Sequence, residues 1–182
     1  MTVREVRAAP EGPATASRLR GLPPVVNRDT ALLVLGSFPG KASLAARQYY
    51  AHPQNHFWRI LQAIWPDFQH RVDFQCYENR IDWMLDHGLG LWDVYASCER
   101  EGSLDTAIRR PVANDFAALA HGCPALRAIA HNGGESFRHA RHGAALGWPV
   151  VRLPSTSPAN ASWSFERKLA AWREVFEEYG LS

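Results

Sequence analysis

The chain has 182 residues, 46% of them hydrophobic, and a formal net charge of +2. That length suits one compact domain with a real core, and that charge excludes a polycation that binds nucleic acid by charge alone. Three cysteines without a CxxC pair exclude a four-thiolate metal or iron–sulfur site, and the absence of any apolar run near ~20 residues, or of a signal-peptide core, predicts a soluble cytoplasmic protein with no membrane partner.

In chain order, residues 1–21 are Ala, Pro, Arg and Gly-rich without periodicity and read as a mobile extension; the domain is expected to span 22–182. Ala31-Leu32-Leu33-Val34-Leu35, closed by Gly36, predicts a strand buried on both faces. Helical spacing of Phe57, Ile60, Leu61 and Ile64 predicts a helix over 56–65, and Ile81, Met84 and Leu85 predict another over 78–87. A second strand is expected over Gly90–Tyr95, a helix from Asp115 to about His121, and a third strand over Leu126–Ala130. A helix beginning near Glu135, a fourth strand over Pro149–Leu153 and an amphipathic helix over Phe165–Tyr179, with Leu169, Trp172, Val175 and Phe176 inward, complete the chain. Strands alternating with helices predict a three-layer α/β/α sandwich around a central, mainly parallel four-stranded sheet. Ligands in such folds bind beyond the carboxyl ends of the strands, where the loops 36–43, 131–136 and 154–160 gather Gly, Ser, Asn and Pro.

The first loop, Gly36-Ser37-Phe38-Pro39-Gly40-Lys41-Ala42-Ser43, lets backbone approach a ligand but lacks the Gly-Lys-Ser/Thr ending of a nucleotide-phosphate loop. The run Gln48-Tyr49-Tyr50-Ala51-His52-Pro53-Gln54-Asn55-His56-Phe57-Trp58 sets aromatics and amides before a helix. Such a run suits stacking on a flat base, although Asn55 reads equally as a helix cap and either tyrosine as core. Leu153-Pro154-Ser155-Thr156-Ser157-Pro158-Ala159-Asn160 presents hydroxyls and N–H groups that can grip phosphate without reading sequence; taken alone it is an ordinary Ser/Pro loop.

Together Gly36-Ser37-Phe38-Pro39-Gly40, Tyr50-Ala51-His52-Pro53-Gln54-Asn55-His56-Phe57-Trp58 and Pro154-Ser155-Thr156-Ser157-Pro158 resemble the signature of the hypoxanthine-DNA glycosylases of the uracil-DNA glycosylase superfamily, in order and in spacing. The resemblance runs from about Leu22 to the last helix. It implies a monofunctional enzyme, acting as a monomer on double-stranded DNA, that flips out a deaminated base and hydrolyses its N-glycosidic bond without a metal or cofactor. The 20 basic residues include two lysines, Lys41 and Lys168, leaving 18 arginines, a donor set that suits phosphate but that genomic base composition would also produce.

The superfamily's water-positioning Asp or Asn in the first motif is Ser37 here. A hydroxyl is a weak base, so the resemblance moves that role to Asn55, with Ser37 as the second catalytic candidate. It implies Phe38, Tyr50, Asp93, His131 and Asn132 around the base: Tyr50 stacking, Asp93 accepting from hypoxanthine N1–H or serving as a structural anchor, and His131 neutralising the leaving base or resting as a loop histidine. Ser43, Ser155, Thr156 and Ser157 are implied to hold the DNA backbone; Ala159 and Asn160 are too small to fill the gap a flipped base leaves. No lysine matches a Schiff-base position, so lyase chemistry is not expected. The alternatives are a uracil or mismatch-specific glycosylase and, in another class, a non-catalytic DNA-damage binding module.

Overall fold

A computed structural model describes residues 18–67, 73 and 75–181. Four strands form a parallel sheet in the order β3-β2-β6-β7: β2 (Leu32–Gly36), β3 (Leu89–Asp93), β6 (Ala128–Asn132) and β7 (Val150–Leu153). β2 is apolar to its final glycine and wholly buried, as a central parallel strand must be. Its alternation divides the core. Leu32 and Val34 join Ala128, Ala130, Leu89 and Leu91 against α2 (Phe57–Ile64), α3 (Tyr77–Asp86) and α7 (Phe165–Glu178); Leu33 and Leu35 face the other way with Ile129, toward Phe116 and Leu119 of α4 (Phe116–Gly122). Two short helices, α5 (Gly134–Phe137) and α6 (Ala140–Ala145), complete that second face, and α1 (Lys41–Ala46) follows β2. The expected three-layer α/β/α sandwich is the observed fold, and its four parallel strands are the four the sequence predicts.

A second sheet was not legible in the sequence. β1 (Arg18–Arg20), β4 (Tyr95–Glu99) and β5 (Arg109–Ala113) pair antiparallel in the order β1-β4-β5. The strand expected to run through Tyr95 ends at Asp93 instead, because Val94 and Tyr95 donate to the carbonyls of Gly36 and Ser37 and the chain leaves for the second sheet. β5 is exposed along its whole length and carries a proline, so no apolar alternation marks it. Arg18–Arg20 fall within the segment expected to be an extension but pair with β4; residues 1–17 lie outside the described residues. The helix expected near Glu135 is the pair α5 and α6. In α7, Lys168 joins the buried face at 1% exposure, while Leu169 is only partly buried.

The strand order places the site. From β2 the chain passes to β3 on one side and later to β6 on the other, so the loops leaving β2 and β6 part above their shared edge. A crevice opens at such a switch point. No described helix is long and apolar enough to cross a membrane.

Candidate active site

The crevice is a cavity of about 890 Å³ at the carboxyl ends of the parallel strands. Its wall takes residues from the segments after β2, β6 and β7, the last residue of β3 (Asp93), the Tyr49–Asn55 stretch and Ser103-Leu104-Asp105. Every expected site residue except His131 lines it.

The floor is Gly36, whose Cα partner in β3 is Asp93. A Cβ there would stand 2.4 Å from Asp93 Oδ1 and 3.7 Å from Tyr50 Oη, so only glycine lets that carboxyl lie across the strand end. Asp93 is 4% exposed, and its Oδ2 is buried without a hydrogen-bond partner. Burial first, and the negative charge of Asp105 second, push its pKa up to about 7; the Arg100 guanidinium opposes them. At neutral pH this carboxyl therefore holds or releases a proton readily.

Tyr50 stands beside it with φ 54°, a left-handed backbone that costs a non-glycine residue about 1 kcal/mol or more. Two contacts hold the ring in place. Phe57 stacks on it at 4.1 Å with planes 25° apart, and Asn132 Nδ2 donates to its hydroxyl at 3.1 Å. Asn132 is itself fixed by Thr156, whose N–H donates to Oδ1 and whose Oγ1 accepts from Nδ2, both at 2.9 Å. The Thr156 carbonyl accepts from His56 N–H, closing the link to the Tyr50–Asn55 loop. Gly133, at φ 104°, turns the chain next to Ser155, where a Cβ would approach within 3.0 Å.

This lattice corrects several expectations. Thr156 is fully buried and its hydroxyl serves Asn132, so it positions the pocket instead of gripping phosphate. Ser43 is 7% exposed and its hydroxyl accepts from Ala51 N–H, an internal tie. Ser155 and Ser157 each accept one N–H within their own loop and keep their hydroxyl protons free for an outside acceptor. Asn132 carries both contacts to the pocket wall with its amide and does not project it at a base edge. His131 lies on the opposite face of β6. Ser136 spends its only proton on the Leu35 carbonyl, so His131 Nδ1–H donates to Ser136 Oγ, and Nε2 is a buried, unpartnered lone pair. Burial lowers its pKa to about 4, which leaves it neutral and unable to balance charge on a leaving base.

Asn55 lines the cavity and stands one residue before His56, the N-cap of α2, its Oδ1 accepting from Phe57 N–H at 2.9 Å in an Asx turn. The cap expected at Asn55 falls on His56 instead, while the Asx turn fixes the Asn55 amide and leaves its second oxygen lone pair and its NH2 group available. Phe38 lines the cavity with the buried Arg100 guanidinium 5.0 Å from its ring centroid. Ser37 has a partner that sequence reasoning missed. Its Oγ donates to Asp105 Oδ1 at 2.6 Å, across 68 residues of chain. Asp105 sits on a 3-10 turn (Asp105–Ala107) in a loop pinned to the first motif twice more, by Arg100 donating to the Pro39 carbonyl and by Lys41 N–H donating to Ser103 Oγ. Nothing local in Ser103-Leu104-Asp105 signals that it folds back over the first motif.

Lys41 and Arg152 supply cations to the lining. Lys168 does not reach it, and no described group of three or more His, Cys, Asp or Glu side chains could hold a metal ion.

The fold and cavity define an α/β protein with a carboxyl-floored cavity at a sheet switch point. The sequence model of the "Uracil DNA glycosylase superfamily" matches residues 23–177, and the chain belongs to that superfamily. It is 35% identical over 158 residues to a hypoxanthine DNA glycosylase of Methanosarcina barkeri, covering 87% of this chain and 98% of the relative. It is 36% identical to one of Methanosarcina acetivorans, covering 86% and 97%. A solution NMR structure of a putative uracil DNA glycosylase from Methanosarcina acetivorans superposes with a TM-score of 0.78 at 33% identity, over 90% of this chain and 99% of that one.

Proposed function

We propose that this protein is a monofunctional DNA glycosylase that excises hypoxanthine from deoxyinosine in duplex DNA, acting as a cytoplasmic monomer. The observation that carries the reading is the floor of the cavity: a buried carboxyl with one unpartnered oxygen, set beside an aromatic ring held in a strained backbone. A flipped lactam base presents a flat face and an N–H next to a carbonyl. Ionised Asp93 accepts that N–H, and the Tyr50 ring offers stacking surface. Adenine, the undamaged parent, has a lone pair at the same ring nitrogen, which a carboxylate repels. Asn55 orients water, and the free hydroxyl protons of Ser155 and Ser157, with Lys41 and Arg152, meet the phosphates flanking the lesion.

Leu104 is 60% exposed where it lines the cavity. It supplies the apolar bulk that Ala159 and Asn160 lack, and fills the stack once the base has left it.

The test is incubation of the purified protein with duplexes carrying one inosine or one uracil, followed by alkali. Abasic product from inosine, with strand cleavage only after alkali, is the expected result. Release of uracil but not hypoxanthine would overturn the substrate assignment, and tight binding without product would mark a binding module. Cleavage before alkali would implicate Lys41, the one amine in the lining, in lyase chemistry.

A further inference from the structure

We infer that Asp105 and Ser37 act as one unit that receives the proton of the attacking water, with Ser37 touching the water and Asp105 positioning and charging Ser37. The inference rests on the glycosylase reading and assigns the site a base that Ser37 alone cannot be. A hydroxyl offers a proton and two lone pairs, and without a partner its orientation is free. Here the proton is committed: Ser37 Oγ donates to Asp105 Oδ1 at 2.6 Å, within the short range of bonds to an ionised acceptor. The lone pairs of Oγ remain, and Ser37 lines the cavity. An incoming water can therefore donate to Oγ.

Asp105 is also available to the reaction. It is solvent-accessible where it lines the cavity, although crowding by protein raises its pKa above the ordinary carboxylate range. The charged groups around it come from every neighbouring segment. Glu135 of α5 adds repulsion, Arg100 at the end of β4 opposes it, and Asp93 of β3 responds to its charge. Glu135 in turn accepts from the Tyr95 hydroxyl at 2.9 Å and lies 3.3 Å from the Arg138 guanidinium. His139 Nε2 shares the Tyr95 hydroxyl at 2.8 Å. Of the two cavity carboxyls, Asp105 accepts a hydrogen bond that favours its charged form, whereas Asp93 has an unpartnered oxygen and its pKa is raised by burial first and by the Asp105 charge second. Asp105, bonded to Ser37 and open to the cavity, is thus the carboxyl placed to take a proton through Ser37.

The step balances. The C1′–N bond breaks with its electron pair on the departing base, and the water oxygen bonds to C1′. One water proton passes to Ser37 Oγ as the Ser37 proton passes to Asp105. The base anion then takes a proton from solvent, and Asp105 returns its own.

Single-turnover excision of hypoxanthine, measured across pH in Asp105→Asn, Asp105→Ala and Ser37→Ala, tests the inference. Wild-type excision must first be seen, which separates failure of the inference from failure of the glycosylase reading. Asp105→Asn is nearly isosteric and keeps an acceptor for Ser37, so its fold is retained even if Asp105→Ala unfolds. The expected result is a loss of ~100-fold or more in the single-turnover rate, typical for removing a general base. Affinity for an uncleavable abasic-analogue duplex should change less than about 3-fold, and in Asp105→Asn the acid limb of the pH profile should fall to the Asp93 titration alone, moved to lower pH by loss of the Asp105 charge. A rate within about 3-fold of wild type, a loss confined to DNA affinity, or an acid limb of unchanged slope and position in Asp105→Asn would each overturn it.

Discussion

Asp93 is the residue at which folding and function pull in opposite directions. Its side chain is buried, one oxygen lacks a partner, and the carboxyl titrates near pH 7 in place of 3.8. A raised acid pKa means that the fold prefers the neutral form. The cost is absent below the unfolded value, grows from pH 3.8 to about 7, and is complete above that, where about three units correspond to on the order of 4 kcal/mol. Asp93→Asn removes the charge and keeps the shape, leaving the smaller cost of a buried amide. Its melting temperature should exceed wild type by roughly 5 °C at pH 8, with a smaller gain at pH 5. An equal gain at both pH values would show that the carboxyl carries no such penalty. The same variant should lose hypoxanthine excision, since an amide cannot present the carboxylate that the proposed reading requires. His131, its pKa lowered by burial to about 4, is by contrast neutral between pH 5 and 8 and contributes no charge to the pocket there.

At the scale of elements, the site is a set of loops tied to each other more than to the helices. Asn132, Thr156 and His56 link three of them, and Arg100, Ser103 and Asp105 pin a fourth over the first motif. Three of the four parallel strands were readable because each is a short apolar run ended by Gly, Pro or a polar turn, and the loops at their carboxyl ends were found with them; β3 has no such stop, so the strand expected there ran on to Tyr95. The fourth loop was not. It connects β4 to β5, an edge strand exposed throughout, and its approach to Ser37 depends on contacts about 60 residues or more apart in sequence that no local pattern encodes. Thr156 and Ser43 were misread for a related reason: a hydroxyl in a Ser/Thr-rich loop looks the same whether it faces solvent or an amide inside. The pinned loop gives Leu104 a defined place at the cavity, so Leu104→Ala should act on base extrusion and leave the fold alone. Excision from an inosine duplex should fall ~10-fold, consistent with losing one buried aliphatic contact of about 1.5 kcal/mol, while excision from a single strand changes little. Equal losses on both substrates would remove Leu104 from that role.

Over the whole molecule, a net charge of +2 is too small to drive DNA binding, so affinity has to come from cations placed near the cavity. Lys41 lies at the start of α1 beyond β2, and Arg152 lies on β7; the two line the cavity from different elements. A phosphate contact releases counterions whatever the base sequence, so losing one should weaken inosine-containing and undamaged duplexes by the same factor. Arg152→Ala should therefore lower affinity for both, and reduce the slope of log affinity against log salt by about 1. Fluorescence anisotropy titrations over a range of salt concentrations read both quantities. A selective loss for the inosine duplex would place the Arg152 guanidinium on the flipped base and not on the backbone, and an unchanged slope would take it off the DNA altogether.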